Sequence, residues 1–205
     1  MMVNSSSFSA IDSKIFVVLE GVDGSGKSTV ASLLRNEPDI EVVESPPNPF
    51  GTIKQSVLEK ATPMARFAYF VAGNMQISSQ ARDPSRRKHL LCVRYIFTTV
   101  AYHAAIENIE VASLQPIVQV FSQWLMLPDI VIFLNVSQKV QTSRLSGRVD
   151  DMLQTRLASS TEFQIRLRRA YEDTKRIFNV NWVNVDTSNL MIEEVARTIR
   201  EMLPL

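Results

Sequence analysis

Residues 21–28 read Gly-Val-Asp-Gly-Ser-Gly-Lys-Ser and satisfy G-x-x-x-x-G-K-[ST], a spacing in which each residue type answers a need of a bound phosphate chain. Glycines at Gly21, Gly24 and Gly26 remove the Cβ atoms that would hold backbone N–H groups away from an anion. Lys27 brings a point charge to the β- and γ-phosphates of a nucleoside triphosphate such as ATP, and the Ser28 hydroxyl can enter the shell of Mg²⁺. Asp23, Ser25 and Thr29 complete the candidate binding loop, and Lys27 is expected in a solvent-facing cradle. Phosphoryl transfer depends on alignment and charge neutralisation more than on a covalent partner, which directs attention to the other cations. Arg144, Arg148 and Arg156 fall in or beside a polar stretch at about 145–160, and this reads as a lid whose arginines close on ATP. Arg166, Arg168 and Arg169 sit among Glu162, Glu172 and Asp173, the pattern of a solvated helix face. Arg82, Arg86, Arg87 and Lys88 read as a surface patch.

The elements around the glycine-rich loop are the ones it needs. Residues 15–20 (IFVVLE) are a β-branched and aromatic run that stops at Gly21, and residues 27–35 are good helix formers. Further strands are read at 40–44, 89–93, 129–136 and 181–185. Helices are read at 64–82, 96–108, 113–127, about 137–145, 161–177 and 191–202. Pro46, Pro47 and Pro49 make a stiff, non-helical loop after the second strand. Strand alternating with helix predicts an α/β fold: a parallel five-stranded sheet flanked by helices on both faces, with ligands at the carboxyl ends of the strands.

Composition narrows the partners. The chain has 205 residues, 45% hydrophobic, with a net charge of +1, so it can bury one core and offers no global electrostatic case for nucleic acid or a membrane. A lone cysteine, Cys92, excludes an internal disulfide. Residues 1–13 read as a flexible extension and 14–205 as a single domain. No apolar run approaches the roughly 20 residues that span a bilayer, and a cytoplasmic protein is expected.

The run LEGVDGSGKST from Leu19 to Thr29 resembles the first strand and P-loop of the thymidylate kinase family. Arg94-Tyr95 running on to Ala101-Tyr102 is similar to that family's Asp-Arg-Tyr segment and Ala-Tyr pair, and residues 129–136 followed by Arg144 and Arg148 resemble its penultimate strand and lid. The resemblance implies a P-loop kinase fold, usually a homodimer, and ATP-dependent phosphorylation of a pyrimidine deoxynucleoside monophosphate. It also implies roles: Phe70 stacks on the base, Arg94 contacts the acceptor phosphate, Asp23 approaches the sugar hydroxyl and Tyr102 crowds the 2′ position.

Three departures bear on the acceptor. Val93 stands where the family has the Asp of its Asp-Arg pair, Asn74 stands where an Arg reads the thymine edge, and no arginine lies between Glu44 and Lys54. Asn74 both donates and accepts where arginine only donates, so dTMP is expected to be a poor acceptor and a cytosine-like or modified pyrimidine enters consideration. Two other readings follow from the same residues. A deoxynucleoside kinase would use Glu44 as the base for a 5′-hydroxyl. A nucleotide-binding relative with impaired catalysis would follow from losing the carboxylate at Val93.

Overall fold

The computed structural model describes residues 14–146 and 160–204. Arg148, Arg156 and most of the expected lid lie outside them, as does the expected N-terminal extension. Five strands, β1 (Phe16–Gly21), β2 (Ile40–Glu44), β3 (His89–Val93), β4 (Ile130–Asn135) and β5 (Trp182–Asp186), form one parallel sheet in the order β2-β3-β1-β4-β5. β1 therefore lies at the centre, with β2 and β3 on one side of it and β4 and β5 on the other, and the chain crosses over between β3 and β4. The glycine-rich loop opens at its carboxyl end, between the ends of β3 and β4, where ligands of such sheets bind.

Alternation along the strands builds two cores. Phe16 and Val18 face one layer with Leu90, Cys92 and Phe133, and Val17 and Leu19 face the other with Leu91, Ile132 and Leu134. α3 (Pro63–Ala81), α4 (Ile96–Glu107) and α7 (Thr161–Ile177) cover the first layer through Phe67, Val71, Phe97, Phe163 and Tyr171. α1 (Lys27–Leu34) and α8 (Ile192–Glu201) cover the second through Val30, Leu34, Val195 and Ile199.

The strands match the sequence reading to within two residues, and two regions differ from it. The helix expected at 113–127 is broken into a 3₁₀ turn at Val111–Leu114, α5 (Gln115–Phe121) and a second 3₁₀ turn at Ser122–Trp124. Pro116 resets the start of α5, and the Arg82 guanidinium draws out the carbonyls of Gln123 and Trp124 at 3.3 and 3.0 Å. The proline loop is followed by a helix that periodicity did not announce, α2 (Lys54–Lys60), which buries no residue fully and so carries no apolar stripe. The basic patch is also more structural than expected, since Arg86 donates to the carbonyls of Lys14, Ile15 and Lys88 at 2.9 Å each.

Packing leaves no room at the loop's hinge. Gly21 has φ +141, and a Cβ there would sit 2.4 Å from the Leu134 carbonyl oxygen on β4. Gly21→Ala combines a backbone conformation foreign to L-residues with a clash against a central strand. We expect it to cost at least about 2 kcal/mol in urea unfolding, an effect that a solvent-facing turn would not show.

Candidate active site

The P-loop is built from the end of β1 and the first turn of α1. Gly26 caps the helix in the left-handed conformation, so the positive end of the helix dipole and the first unpaired N–H groups lie at the loop. Ser28 and Thr29 are exposed on that first turn, whereas Ser25 is buried. Lys27 departs from the expected solvent-facing position. It is only 4% exposed, and its ammonium donates to the carbonyls of Gly21 and Val22 at 2.7 Å each and to Ser25 Oγ at 3.3 Å. The charge that would meet a phosphate chain is thus held by the loop's own oxygens.

A second cation stands beside it. Arg94 follows β3 with φ 65, a left-handed backbone for a residue with a side chain, and its N–H donates to the Leu19 carbonyl at 3.0 Å. Its guanidinium donates to Asp23 Oδ1 and lies 5.5 Å from the centre of the Tyr102 ring, while the Tyr102 hydroxyl donates to Asp23 Oδ2 at 2.8 Å. Burial pushes the Asp23 carboxyl up, but the charges of Arg94 and Lys27 and the two hydrogen bonds outweigh it and hold Asp23 well below the usual carboxylate range. Burial also works against the Arg94 charge, and Asp23 more than restores it. The Tyr102 hydroxyl is kept protonated by burial and by the neighbouring carboxylate.

These groups border a cavity of about 390 Å³. Phe70, Tyr102 and Arg94 all line it, together with Asp23. Lys54 of α2 and Arg66 of α3 also line it, and the sequence had assigned them nothing; Arg66 pairs with Glu107 at 3.6 Å. Lys54 follows the very loop in which an arginine was missed. His103 stacks its ring against Phe67 at 4.9 Å, and burial depresses its pKa despite the opposing pull of Glu107.

Two expected site residues lie elsewhere. Glu44 is more than half exposed at the end of β2, outside the cavity lining, and faces Arg35 at 3.5 Å. Asn74 is fully buried one layer behind the cavity, where its amide bridges Ser45 Oγ at 2.9 Å and Thr99 Oγ1 at 3.0 Å. It orients two lining hydroxyls and does not itself reach the cavity. Val93 is buried, and the carboxylate beside Arg94 comes from Asp23.

α6 (Gln138–Ser146) fastens the loop from the other side. Arg144 donates to the Gly24 carbonyl at 3.3 Å and to Thr187 Oγ1 and O at 3.1 and 2.8 Å. Gln141, fully inside, donates to the Asp23 carbonyl at 2.8 Å and accepts from Arg168 at 3.1 Å. Arg168 thereby leaves the solvated face predicted for it, and Arg166 leaves it in part, since it pairs with Glu162 but also donates from Nε to the Ala105 carbonyl at 3.2 Å, while Arg169 stays exposed beside Asp173. Most important among the residues that sequence reasoning passed over is Glu20. Wholly buried at the end of β1, it accepts from the N–H groups of Tyr95 and Thr98 at 3.0 and 3.1 Å, from the Thr98 hydroxyl and from Tyr171 OH at 3.2 Å. Its position beside the loop, in a strand otherwise apolar, was the available signal.

The sequence model of thymidylate kinase matches residues 19–199. A probable thymidylate kinase of Caldivirga maquilingensis is 33% identical over 193 residues, covering 83% of this chain and 90% of that one. A thymidylate kinase of Aliarcobacter butzleri is 24% identical, covering 92% and 98%. In fold, the chain is similar to thymidylate kinase from Candida albicans, with TM-score 0.67 at 20% identity over 92% of this chain and 90% of that one. It is also similar to a deoxyadenosine kinase from M. mycoides, with TM-score 0.63 at 18% identity over 90% and 97%. With its P-loop, its paired Asp23 and Arg94 and this match over most of its length, the chain belongs to the thymidylate kinase family of nucleoside monophosphate kinases.

Proposed function

We propose that the protein transfers the γ-phosphoryl group of ATP to a pyrimidine nucleoside monophosphate bound in the cavity between α3 and α4. One observation carries the reading: Arg94 is locked to Asp23 of the P-loop, the carboxylate on which Lys27 also acts, so that two cations suited to phosphates share one anion where the loop borders a cavity with an aromatic wall. Lys27 and the start of α1 would hold the donor phosphates and Arg94 the acceptor phosphate, with Lys54 as a further cation for that phosphate. Phe70 would stack on the base and Tyr102 would pack against the sugar. No general base is needed, since the acceptor is already an anion; the chain's task is to align two phosphates that repel one another and to neutralise their charge. Arg144, by holding the Gly24 carbonyl, keeps the loop in shape for this.

Ser28 suits Mg²⁺, because it presents an exposed neutral oxygen on the first turn of α1 while Asp23 is engaged by Arg94 and Tyr102. Ser28 would help to hold Mg²⁺, which would supply positive charge against the phosphates. The reading carries with it a homodimer and a cytoplasmic setting. No helix among the described residues is long and apolar enough to cross a membrane. A nucleoside as acceptor is less well supported: it requires a carboxylate at the 5′-hydroxyl, and Glu44 lies outside the cavity lining, Glu20 is already held by four donors, and the two carboxylates that line the cavity, Asp23 and Glu107, are paired with Arg94 and Arg66.

A coupled assay of ATP consumption separates the readings. Turnover is expected with pyrimidine deoxynucleoside monophosphates and not with the corresponding nucleosides; the reverse pattern would overturn the assignment. In the same assay Lys27→Ala should lower kcat at least about 100-fold. Its melting temperature should also fall, since the buried ammonium ties three loop oxygens together. An unchanged kcat would remove Lys27 from the site.

Asp23 gives a pH test. Its folded-state carboxyl is depressed, so the stability it contributes is present above the ordinary carboxylate pKa and is lost as pH falls below it. Urea unfolding should show Asp23→Asn about 1–3 kcal/mol less stable than wild type at pH 7, with the gap shrinking below about pH 4. A gap that stays constant across that range would mean that the Arg94 pair contributes nothing to it.

A further inference from the structure

The hydroxyl hydrogens around the cavity can be accounted for one by one. Five residues with hydroxyl groups line it: Ser45, Tyr95, Thr98, Thr99 and Tyr102. Tyr102 donates to Asp23 Oδ2 at 2.8 Å, Tyr95 to the Met126 carbonyl at 3.0 Å, and Thr98 to the Glu20 carboxylate. The other two belong to a chain with one direction. Ser45 donates to Asn74 Oδ1 at 2.9 Å, Asn74 Nδ2 donates to Thr99 Oγ1 at 3.0 Å, and Thr99 donates to the Tyr95 carbonyl one helical turn back at 3.3 Å. The amide orientation follows from the last link. With its hydrogen turned to Tyr95, Thr99 meets Asn74 only as an acceptor, so Nδ2 faces Thr99 and Oδ1 is left for Ser45.

A hydroxyl has one hydrogen to give, so Ser45 and Thr99 can turn only lone pairs to the cavity. Phe70 precedes Asn74 by one turn on the same face of α3, which packs along α4. Phe70, Ser45 and Thr99 line the same cavity, so the edge of a ring laid on Phe70 would meet these two hydroxyls.

We propose that the cavity selects a pyrimidine with a 4-amino group, the cytosine class, over 4-oxo pyrimidines, because the Ser45 and Thr99 hydroxyls in its wall accept hydrogen bonds and do not donate them. The proposal rests on the reading of the cavity as the acceptor-nucleotide site. An exocyclic amine brings N–H groups to lone pairs that lack them. The N3–H of uracil or thymine lies between two carbonyl oxygens, and its O4 would face oxygen acceptors after losing water. Asn74 is thus a specificity-determining residue that acts from behind the wall, by setting the direction of the chain of hydrogen bonds.

Titration calorimetry of the full chain with dCMP and dUMP tests this without requiring turnover, since the two differ only in the 4-substituent and in the N3 hydrogen that goes with it. The Kd for dCMP should lie at least about tenfold below that for dUMP. Ser45→Ala should weaken dCMP about fivefold or more and leave dUMP within about twofold, and Thr99→Val, which keeps the side chain's shape, should act in the same direction. A melting curve on each variant confirms that it is folded. Binding of dUMP as tight as that of dCMP, or a loss in Ser45→Ala shared equally by both nucleotides, would overturn the proposal and leave the kinase assignment in place. Failure of both nucleotides to bind would overturn the acceptor-site reading and the proposal with it.

Discussion

The site depends on one buried carboxylate. Glu20 ends the central strand next to the P-loop, and from there it accepts two backbone N–H groups at the start of α4 and the hydroxyls of Thr98 and Tyr171. A carboxylate wholly out of water is costly unless its lone pairs are met, and four donors from two helices meet these. Burial still raises the Glu20 pKa, with the hydrogen bonds and Arg94 pulling against it. The consequence is geometric. α4 must begin within hydrogen-bond reach of β1, so Arg94, the first of the two residues between β3 and α4, is bent through a left-handed backbone and delivered to Asp23. The grip of Glu20 adds to the Arg94 N–H on the Leu19 carbonyl and to the Arg94 and Tyr102 bonds on Asp23, and together these tie Arg94 to the P-loop.

From that fixed point the charges arrange themselves in compensating pairs. Lys27 is satisfied by carbonyls of its own loop, Arg94 by Asp23 and Arg66 by Glu107, so cations are held near where phosphates and nucleotide would lie without collapsing on each other. Binding an anion then means exchanging one set of oxygens for another around positions already organised, which limits the reorganisation cost that such a site must otherwise meet. The same economy governs the hydroxyls of the cavity, each of which is committed to a protein acceptor before any ligand arrives.

Much of this was legible in the sequence because it is local. The P-loop declares itself by residue type and spacing over eight consecutive positions, and the strands by short apolar runs bounded by turn residues. Phe70, Arg94 and Tyr102 came from resemblance, and the structure brings all three to one cavity with Asp23. What was illegible is tertiary. Asn74 looked like a base-reading residue because its position on α3 is right; that Ser45 and Thr99 close over it depends on the proline loop and α4 meeting there. Glu44 looked like a candidate base because it ends a strand, as Glu20 does, yet β2 is an edge strand and its end faces Arg35. Lys54 and Arg66 gave no signal because the helix carrying one has no apolar stripe, and a cation on a helix surface has the same sequence signature whether it faces a cavity or water.

The central claim is that two phosphate sites, one organised by Lys27 and one by Arg94, lie close enough to act on a single transfer. A bisubstrate analogue that joins adenosine and a pyrimidine deoxynucleoside through a five-phosphate bridge asks this directly, because it is tight only when both sites are engaged at once. By titration calorimetry it should bind at least about 100-fold more tightly than ATP alone, and Arg94→Ala should erase most of that gain while leaving ATP binding within a few-fold of wild type. An analogue that binds no better than ATP, or one whose affinity is indifferent to Arg94, would contradict the account.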